Sequence, residues 1–335
     1  MNFTYIIGID ISKLTFDVAV FHSGKKIKWM KIPNTEKGVF ELLKRLGKLE
    51  SFELSQTIFC MEHTGIYTNH LLKVLETHEA FVWLESGLQI KRSMGLVRGK
   101  NDKIDAERIA SYAYKNLENI KLWEAPRKII QRLNGLILLR DRLVKVNKQL
   151  NQPIDENAGY TDEAIRSETL NNCKASLTAL DQDIKKVEKQ IKELIDSDDD
   201  LRRLNKIVSS VNGIGKVISA KLIVITNEFK AFKTGRQFAC YSGIAPFEHS
   251  SGTSVRGKTR VSQLANKNAK TMLHMAALST IRKGGSMRGY YERKVEKGKS
   301  KMSVINAIRN KLVHCVFACV RNDVMYQKNY KVSSI

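Results

Sequence analysis

Four carboxylates stand where a chain could use them together. Asp10 closes the apolar run "YIIGID", and Glu62 closes a second, "TIFCME". Asp102 and Asp105 open "NDKIDAERIA", at a spacing that puts both on one face of a helix's first turn. Taken singly, each has a structural explanation. An Asp opening a helix is a common N-cap, and a second acid in the first turn complements the helix dipole. Taken together, they are a strand–strand–helix set of hard oxygen donors. Mg2+, with Mn2+ as its alternative, takes such ligands while keeping several waters. Two such ions clamp the attacking and leaving oxygens of a phosphodiester. Asp17 is set aside, as alternating to the opposite face or lying on a second strand. Glu107 is the main rival for a place on the helix, and His63 is the nearby imidazole.

Positioning these groups requires a sheet. "YIIGIDISKLTFDVAVFH" reads as strand, turn and strand, and "KKIKWMKIPN" as a third strand. "GVFELLKRLGK" has helical spacing, "QTIFCME" is a strand, "YTNHLLKVLETH" a helix and "AFVWLES" a strand. Gly65, in "MEHTGIY", is expected to begin the turn into the helix after Glu62. Three strands followed by alternating helices and strands define an α/β layer domain over residues 1–125. An acid on the first strand, a hairpin, an acid on a later strand and acids on a helix follow the order of an RNase H-like nuclease core.

Residues 126–200 read as a helical, coiled-coil segment. One seam runs through Ile129, Leu136, Leu139, Leu143, Val146 and Leu150, and another through Leu177, Leu180, Ile184, Val187, Ile191 and Leu194. Residues 151–174 between them are polar and read as a loop or connector. The pair is an antiparallel hairpin, a dimerisation arm or both, or else ordinary two-helix packing within one domain.

The chain carries 57 Lys and Arg against 34 Asp and Glu, a net charge of +23. Such a balance points to a polyanion, most simply nucleic acid. Residues 1–200 are nearly neutral at +2, whereas residues 201–335 hold 26 basic and only 5 acidic residues, a net of +21. In that basic, mostly helical part, "IVSSVNGIGKVISAKLIVI" places Gly213 and Gly215 between two apolar helices, with Lys216 beside them. Helix–hairpin–helix turns of this kind aim backbone N–H groups at a phosphate. Gly/Ser-rich loops are expected at 248–260 and 284–289. Five cysteines without a CxxC pair suit a reducing cytosol. No signal peptide and no apolar run of membrane-spanning length are expected, and so no membrane partner.

"GIDISK", "MEHTGIY" and "GKNDKIDAERIA" resemble the Asp–Glu–Asp–Asp blocks of the DEDD transposases of the insertion-sequence-110 family. "VNGIGKVISAKLI", "RQFACYSGIAP" and "HSSGTSVRGKTRVSQLANKNAKTML" resemble, in order, that family's C-terminal transposase domain. The resemblance implies a resolvase-like N-terminal domain, a coiled-coil dimerisation segment and a mainly α C-terminal domain over residues 201–335. It implies a transposase of the bacterial cytoplasm, on the nucleoid, that recombines donor and target DNA as a homo-dimer or tetramer. It also implies a structured non-coding guide RNA, the bridge RNA, and a serine that becomes joined to DNA. The acidic, metal-holding positions carry over as Asp10, Glu62, Asp102 and Asp105. The serine carries over as Ser251, before Gly252, with Ser250 as its immediate alternative and Ser254 nearby. Arg256, Lys258 and Arg260 trail it as cations suited to a phosphate. A metal-dependent endonuclease of the Holliday-junction-resolving type, using water in place of the serine, is the alternative. The intact acidic set argues against a non-catalytic nucleic-acid-binding protein.

Overall fold

The computed structural model describes residues 3–93, 101–156, 159–251, 255–261 and 265–327. The chain forms two compact units, Met1–Ala125 and Pro126–Ile335.

The first unit is built on a mixed five-stranded sheet. Strands β1 (Tyr5–Ile11), β2 (Thr15–His22), β3 (Lys25–Pro33), β4 (Thr57–Glu62) and β5 (Phe81–Glu85) lie in the order β3-β2-β1-β4-β5. β1, β2 and β3 pair antiparallel, and β4 and β5 add in parallel to β1. β1 and β4 are buried on both faces, which is why they read as continuous apolar runs. Helices α1 (Glu36–Leu46) and α2 (Asn69–Thr77) cover one face, where Val39, Leu42, Leu71 and Leu75 meet Ile7, Ile9 and Phe59. Thr35 caps α1 by accepting from the Gly38 N–H at 3.0 Å. Gly65 (φ +68°) opens a short 3-10 turn, Gly65–Thr68, that runs into α2.

A short α3 (Gly87–Ser93) precedes α4 (Asp102–Lys115), which covers the other face. Ala106, Ala110 and Ala113 pack there with Ile6, Ala19, Ile58 and Cys60. These small side chains let the helix lie almost on the backbone of β1. A Cβ on Gly8 would collide with the Ala106 carbonyl and the Ala110 N–H, and would stand 2.7 Å from Ala110 Cβ. The sheet and its helices are compatible with an RNase H-like domain.

The second unit is mostly helical. α5 (Lys128–Glu156) and α6 (Glu163–Asp196) form an antiparallel hairpin. The segment expected as a loop over 151–174 is therefore mainly helix. A long helix wetted on most sides carries few apolar residues, and its polarity imitates that of a connector. All six seam residues expected on α6 are buried or half-buried. On α5 the buried seam is Ile130, Leu133 and Ile137, while Leu139 and Val146 of the expected seam are 42% and 39% exposed.

α7 (Asp199–Ser210), α8 (Lys216–Ile225), α9 (Gly235–Tyr241), α10 (Lys267–Ile281), α11 (Arg288–Glu296) and α12 (Lys301–Arg321) complete the unit around one core. β6 (Pro246–Ser251) and β7 (Val255–Val261) pair antiparallel where a loop was expected over 248–260. α12 is long and apolar enough, by length and composition alone, to span a membrane, contrary to the expectation of no such run. Its apolar side chains Ile308, Leu312, Val313 and Val316 lie in the core with Phe238 and Leu273, which accounts for its composition.

Two glycine substitutions separate close packing from chain entropy. Gly8→Ala is expected to cost about 1–3 kcal/mol or more, because the new methyl meets helix backbone. Gly135→Ala, on α5 with nothing within 4 Å of the added Cβ, should stabilise by roughly 0.5–1 kcal/mol. Chemical denaturation of the two variants, with equal m-values, checks both signs.

Candidate active site

The hairpin and the crossover bring the acids of the first unit to one edge of the sheet. Side chains alternate along β1, so Ile7, Ile9 and Ile11 enter the α1–α2 core, while Ile6 enters the α4 core and Asp10 shares its face. On β4, Met61 belongs to the first core and Cys60 to the second, which puts Glu62 on the α4 face as well. Asp102 and Asp105 sit in the first turn of α4, whose N-cap is Asn101, accepting from the Lys103 N–H at 2.9 Å. Asp102 is therefore not the capping residue.

Asp10 records this convergence. Its pKa is raised from 3.8 to about 6, first by burial and then by the charges of Asp105, Asp102, Asp17 and Glu62. All of these influences act in the same direction. Asp17 was set aside in the sequence reading, and the structure corrects that. It is 3% exposed, lies directly opposite Asp10 in the β1–β2 register, and has Lys31 Nζ at 3.6 Å. Reflecting Asp10 through the tight turn at Ser12–Leu14 would have found it, since an antiparallel pairing puts partners on the same face. The rivals are otherwise engaged. Glu107 is ion-paired with Lys26, and His63 Nδ1 accepts from the Gly65 N–H at 3.3 Å. Glu85, beside Glu62 in register, accepts from the Tyr112 hydroxyl at 3.0 Å and the Ser86 N–H at 2.7 Å.

The donor chemistry fits a hard cation, though the side chains are not yet turned to a common point. Among the described residues, no three His, Cys, Asp or Glu side chains are grouped closely enough to hold an ion as they stand. Asp105 is held by Arg108 at 2.7 Å. The Glu62 carboxylate lies against Gly87, where a Cβ would fall on it. A cation drawing in Asp105 would replace Arg108 as its partner.

The remaining singled-out residues lie in the second unit. Val211–Gly215 joins α7 to α8, and Gly213 takes φ +90°. A Cβ on Gly213 would strike the Thr280 side chain and come within 2.8 Å of the Ala276 carbonyl, so this glycine serves close packing against α10. Gly215 is the N-cap of α8 and has open space around it, with Lys216 exposed beside it. Ser251 ends β6 opposite Val255, and Ser250 pairs with Arg256. Arg256, Lys258 and Arg260 occupy alternate positions of β7. Gly252 and Ser254 lie outside the described residues. The base of the hairpin is tied to the core by Asn306 Nδ2, which donates to the Ile244 carbonyl at 2.8 Å.

Acids on one face of an RNase H-compatible sheet, followed by a basic helical unit, are in keeping with the class of DEDD transposases. Residues 7–156 match a DEDD transposase profile, and residues 205–292 match the profile described as the transposase IS116/IS110/IS902 family. The chain belongs to the IS110 family of transposases, enzymes that recombine DNA. It is 28% identical over 336 residues to the pilin gene-inverting proteins of Moraxella lacunata and Moraxella bovis, covering 98% of this chain and 99% of each relative. It is 27% identical over 153 residues to an IS110 protein of Streptomyces coelicolor, covering 46% of this chain and 36% of that one. It is also 24% identical over 262 residues to the IS1111A transposase of Coxiella burnetii, covering 68% of each.

The raised Asp10 pKa has a stability signature. The folded chain binds this proton more tightly than the unfolded chain, so the contribution to stability is complete below about pH 4 and is lost as pH rises through about 6. Asp10→Asn should flatten that fall and melt no lower than the wild type at neutral pH. Thermal melts of both proteins from acid to neutral pH test this, and a variant that melts clearly lower at neutral pH contradicts it.

Proposed function

We propose that this transposase cuts and reseals DNA through Ser251, assisted by a divalent cation, Mg2+ or Mn2+, held by Asp10, Glu62, Asp102 and Asp105. The observation that carries the reading is the placement of Asp10 and Glu62 on the sheet face covered by α4, whose first turn holds Asp102 and Asp105; burial and these like charges raise the Asp10 pKa. The cation supplies Lewis-acid polarisation of the phosphate and offsets its charge. Asp10 on β1 and Glu62 on β4 would hold it from the sheet, and Asp102 and Asp105 from the first turn of α4. In the covalent step the Ser251 Oγ–phosphorus bond forms as the bond to the leaving sugar oxygen breaks. The hydroxyl proton is returned to that oxygen. Attack by a second DNA end on the phosphoserine reverses the exchange and regenerates the serine. Conserving the bond energy in this way suits joining as well as cutting. The name of the Moraxella relatives, which describes inversion of a gene, is in keeping with a recombinase of this kind.

Gly213, Gly215 and Lys216 are proposed to meet a nucleic-acid backbone, as are Arg256, Lys258 and Arg260. Pairing to a structured guide RNA is proposed to choose the donor and target, since a backbone-gripping basic surface carries little sequence information of its own. The exposed apolar stripe of Leu139 and Val146 on α5 supports assembly as a dimer or tetramer.

Mg2+ should raise the melting temperature of the wild type but not of Asp10→Asn; equal shifts would remove the metal assignment. Ser251→Ala, which removes only a hydroxyl, should bind DNA normally and fail to join strands. Mass spectrometry of the trapped wild-type adduct should find nucleotide on Ser251. Nucleotide on Ser250 moves the assignment by one residue, and wild-type cleavage by Ser251→Ala with no adduct favours a water-using nuclease. Leu139→Glu with Val146→Glu should shift sedimentation toward the monomer while leaving the melting temperature nearly unchanged.

A further inference from the structure

β3 is an edge strand of unusual composition. Its nine residues include Lys25, Lys26, Lys28 and Lys31, no acid, and a tryptophan at position 29 that is 38% exposed. Lysines on an edge strand guard against edge-to-edge pairing. That explanation covers the lysines and leaves the indole unexplained, because an exposed tryptophan invites association.

The register settles which face Trp29 occupies. It lies opposite Ala19, which belongs to the α4-side core, whereas its neighbours Met30 and Ile32 enter the core on the other side. Trp29 therefore shares its face with Asp10 and Asp17. Asp10, Asp17 and Lys31 form one cross-strand row, and Trp29 stands one row further along β3. Two strand spacings and one such step put Trp29 on the order of 12 Å from Asp10. Lys103 is next to Asp102 on α4, and its ammonium lies 5.3 Å from the centre of the Trp29 ring. Lys31, on the same face, is half exposed, with its ammonium 3.6 Å from Asp17.

We infer that Trp29 is a stacking platform for an unpaired base of the DNA strand that leads to the acidic site, with Lys31 and Lys103 along its phosphates. This deepens the proposed reading of Asp10 and its neighbours as a DNA-cleaving site, and rests on it. Single-strand binders pair an aromatic face with a basic track, because every base has a π-face and every nucleotide a charge. A base stacked on the indole takes the place of the Lys103 ammonium, which the strand's phosphate then receives. The near-neutral charge of the first half of the chain conceals this track, since its lysines are balanced by acids elsewhere in sequence.

The test uses the full chain and single-stranded oligo(dT). Of the three tryptophans, Trp83 is 1% exposed and Trp123 is partly buried, so Trp29 is the accessible reporter. Oligo(dT) should quench the wild-type emission, and Trp29→Tyr should abolish the quench. Lys31→Gln with Lys103→Gln should move the quench midpoint to about tenfold higher oligonucleotide, one to two phosphate contacts' worth at low salt. An unquenched wild type, a quench that survives in Trp29→Tyr, or a quench by oligo(U) with none by oligo(dT) overturns the proposal. Asp10→Asn should keep the quench. An absent quench thus condemns the platform alone, and cleavage by Asp10→Asn condemns the metal site alone.

Discussion

The candidate active site depends on one close approach, the laying of α4 against β1 at Gly8. A strand's side chain ordinarily keeps a helix several ångströms further away. Here the missing Cβ on the strand and the alanines of α4 let backbone meet backbone, and the first turn of the helix is carried in toward Asp10. The packing of Ile6, Ile58, Cys60 and Trp83 beneath the same helix opposes the repulsion that its acids generate. Loosening this contact would relieve the acids by letting them separate. The rigidity of the docking is therefore what preserves their strained chemistry.

The second unit uses a charge clamp for a similar purpose. Arg127, at the start of α5, donates to Asp198 at 2.7 and 3.1 Å and to Glu228 at 2.6 and 3.0 Å. Both acids also serve the backbone. Asp198 caps α7 through the Leu201 N–H at 2.8 Å, and Glu228 is the middle of three consecutive non-glycine residues with positive φ, Asn227, Glu228 and Phe229. Such a run is costly and persists only where its surroundings fix it. Bidentate pairing with Arg127 and burial of the Glu228 side chain supply that fixing. The long helical hairpin is thereby joined to the core that holds the base of the β6–β7 hairpin.

The parts of the molecule legible in sequence are those with a local cause. β1 and β4 are apolar because both their faces are covered, and their terminal acids stand out against that background. Asp17 was left out because its place beside Asp10 depends on pairing across a turn, which periodicity along one strand does not report. α5 misled for a related reason. It has apolar residues on two sides, and a heptad count cannot tell the side that meets α6 from the side that faces solvent. The β6–β7 hairpin was hidden by glycines, serines and cations, since its ladder is made by backbone groups that any residue supplies. Trp29 was visible in sequence as a strand residue. Its significance came only from the register that sets it beside Asp17.

A chain with 57 Lys and Arg residues could neutralise every acid it has. Several near the site are treated in this way: Lys31 approaches Asp17, Lys26 takes Glu107 and Arg108 takes Asp105. Among the described residues no cation is paired with Asp10, and burial and the charges of Asp105, Asp102, Asp17 and Glu62 raise its pKa. Keeping the central carboxylate uncompensated opposes folding at neutral pH, and the advantage has to lie in what the site can then attract. The neighbouring cations are arranged accordingly. They lie on β3 and on the outer turn of α4, near enough to draw a polyanion in, while the sheet edge at Asp10 stays anionic.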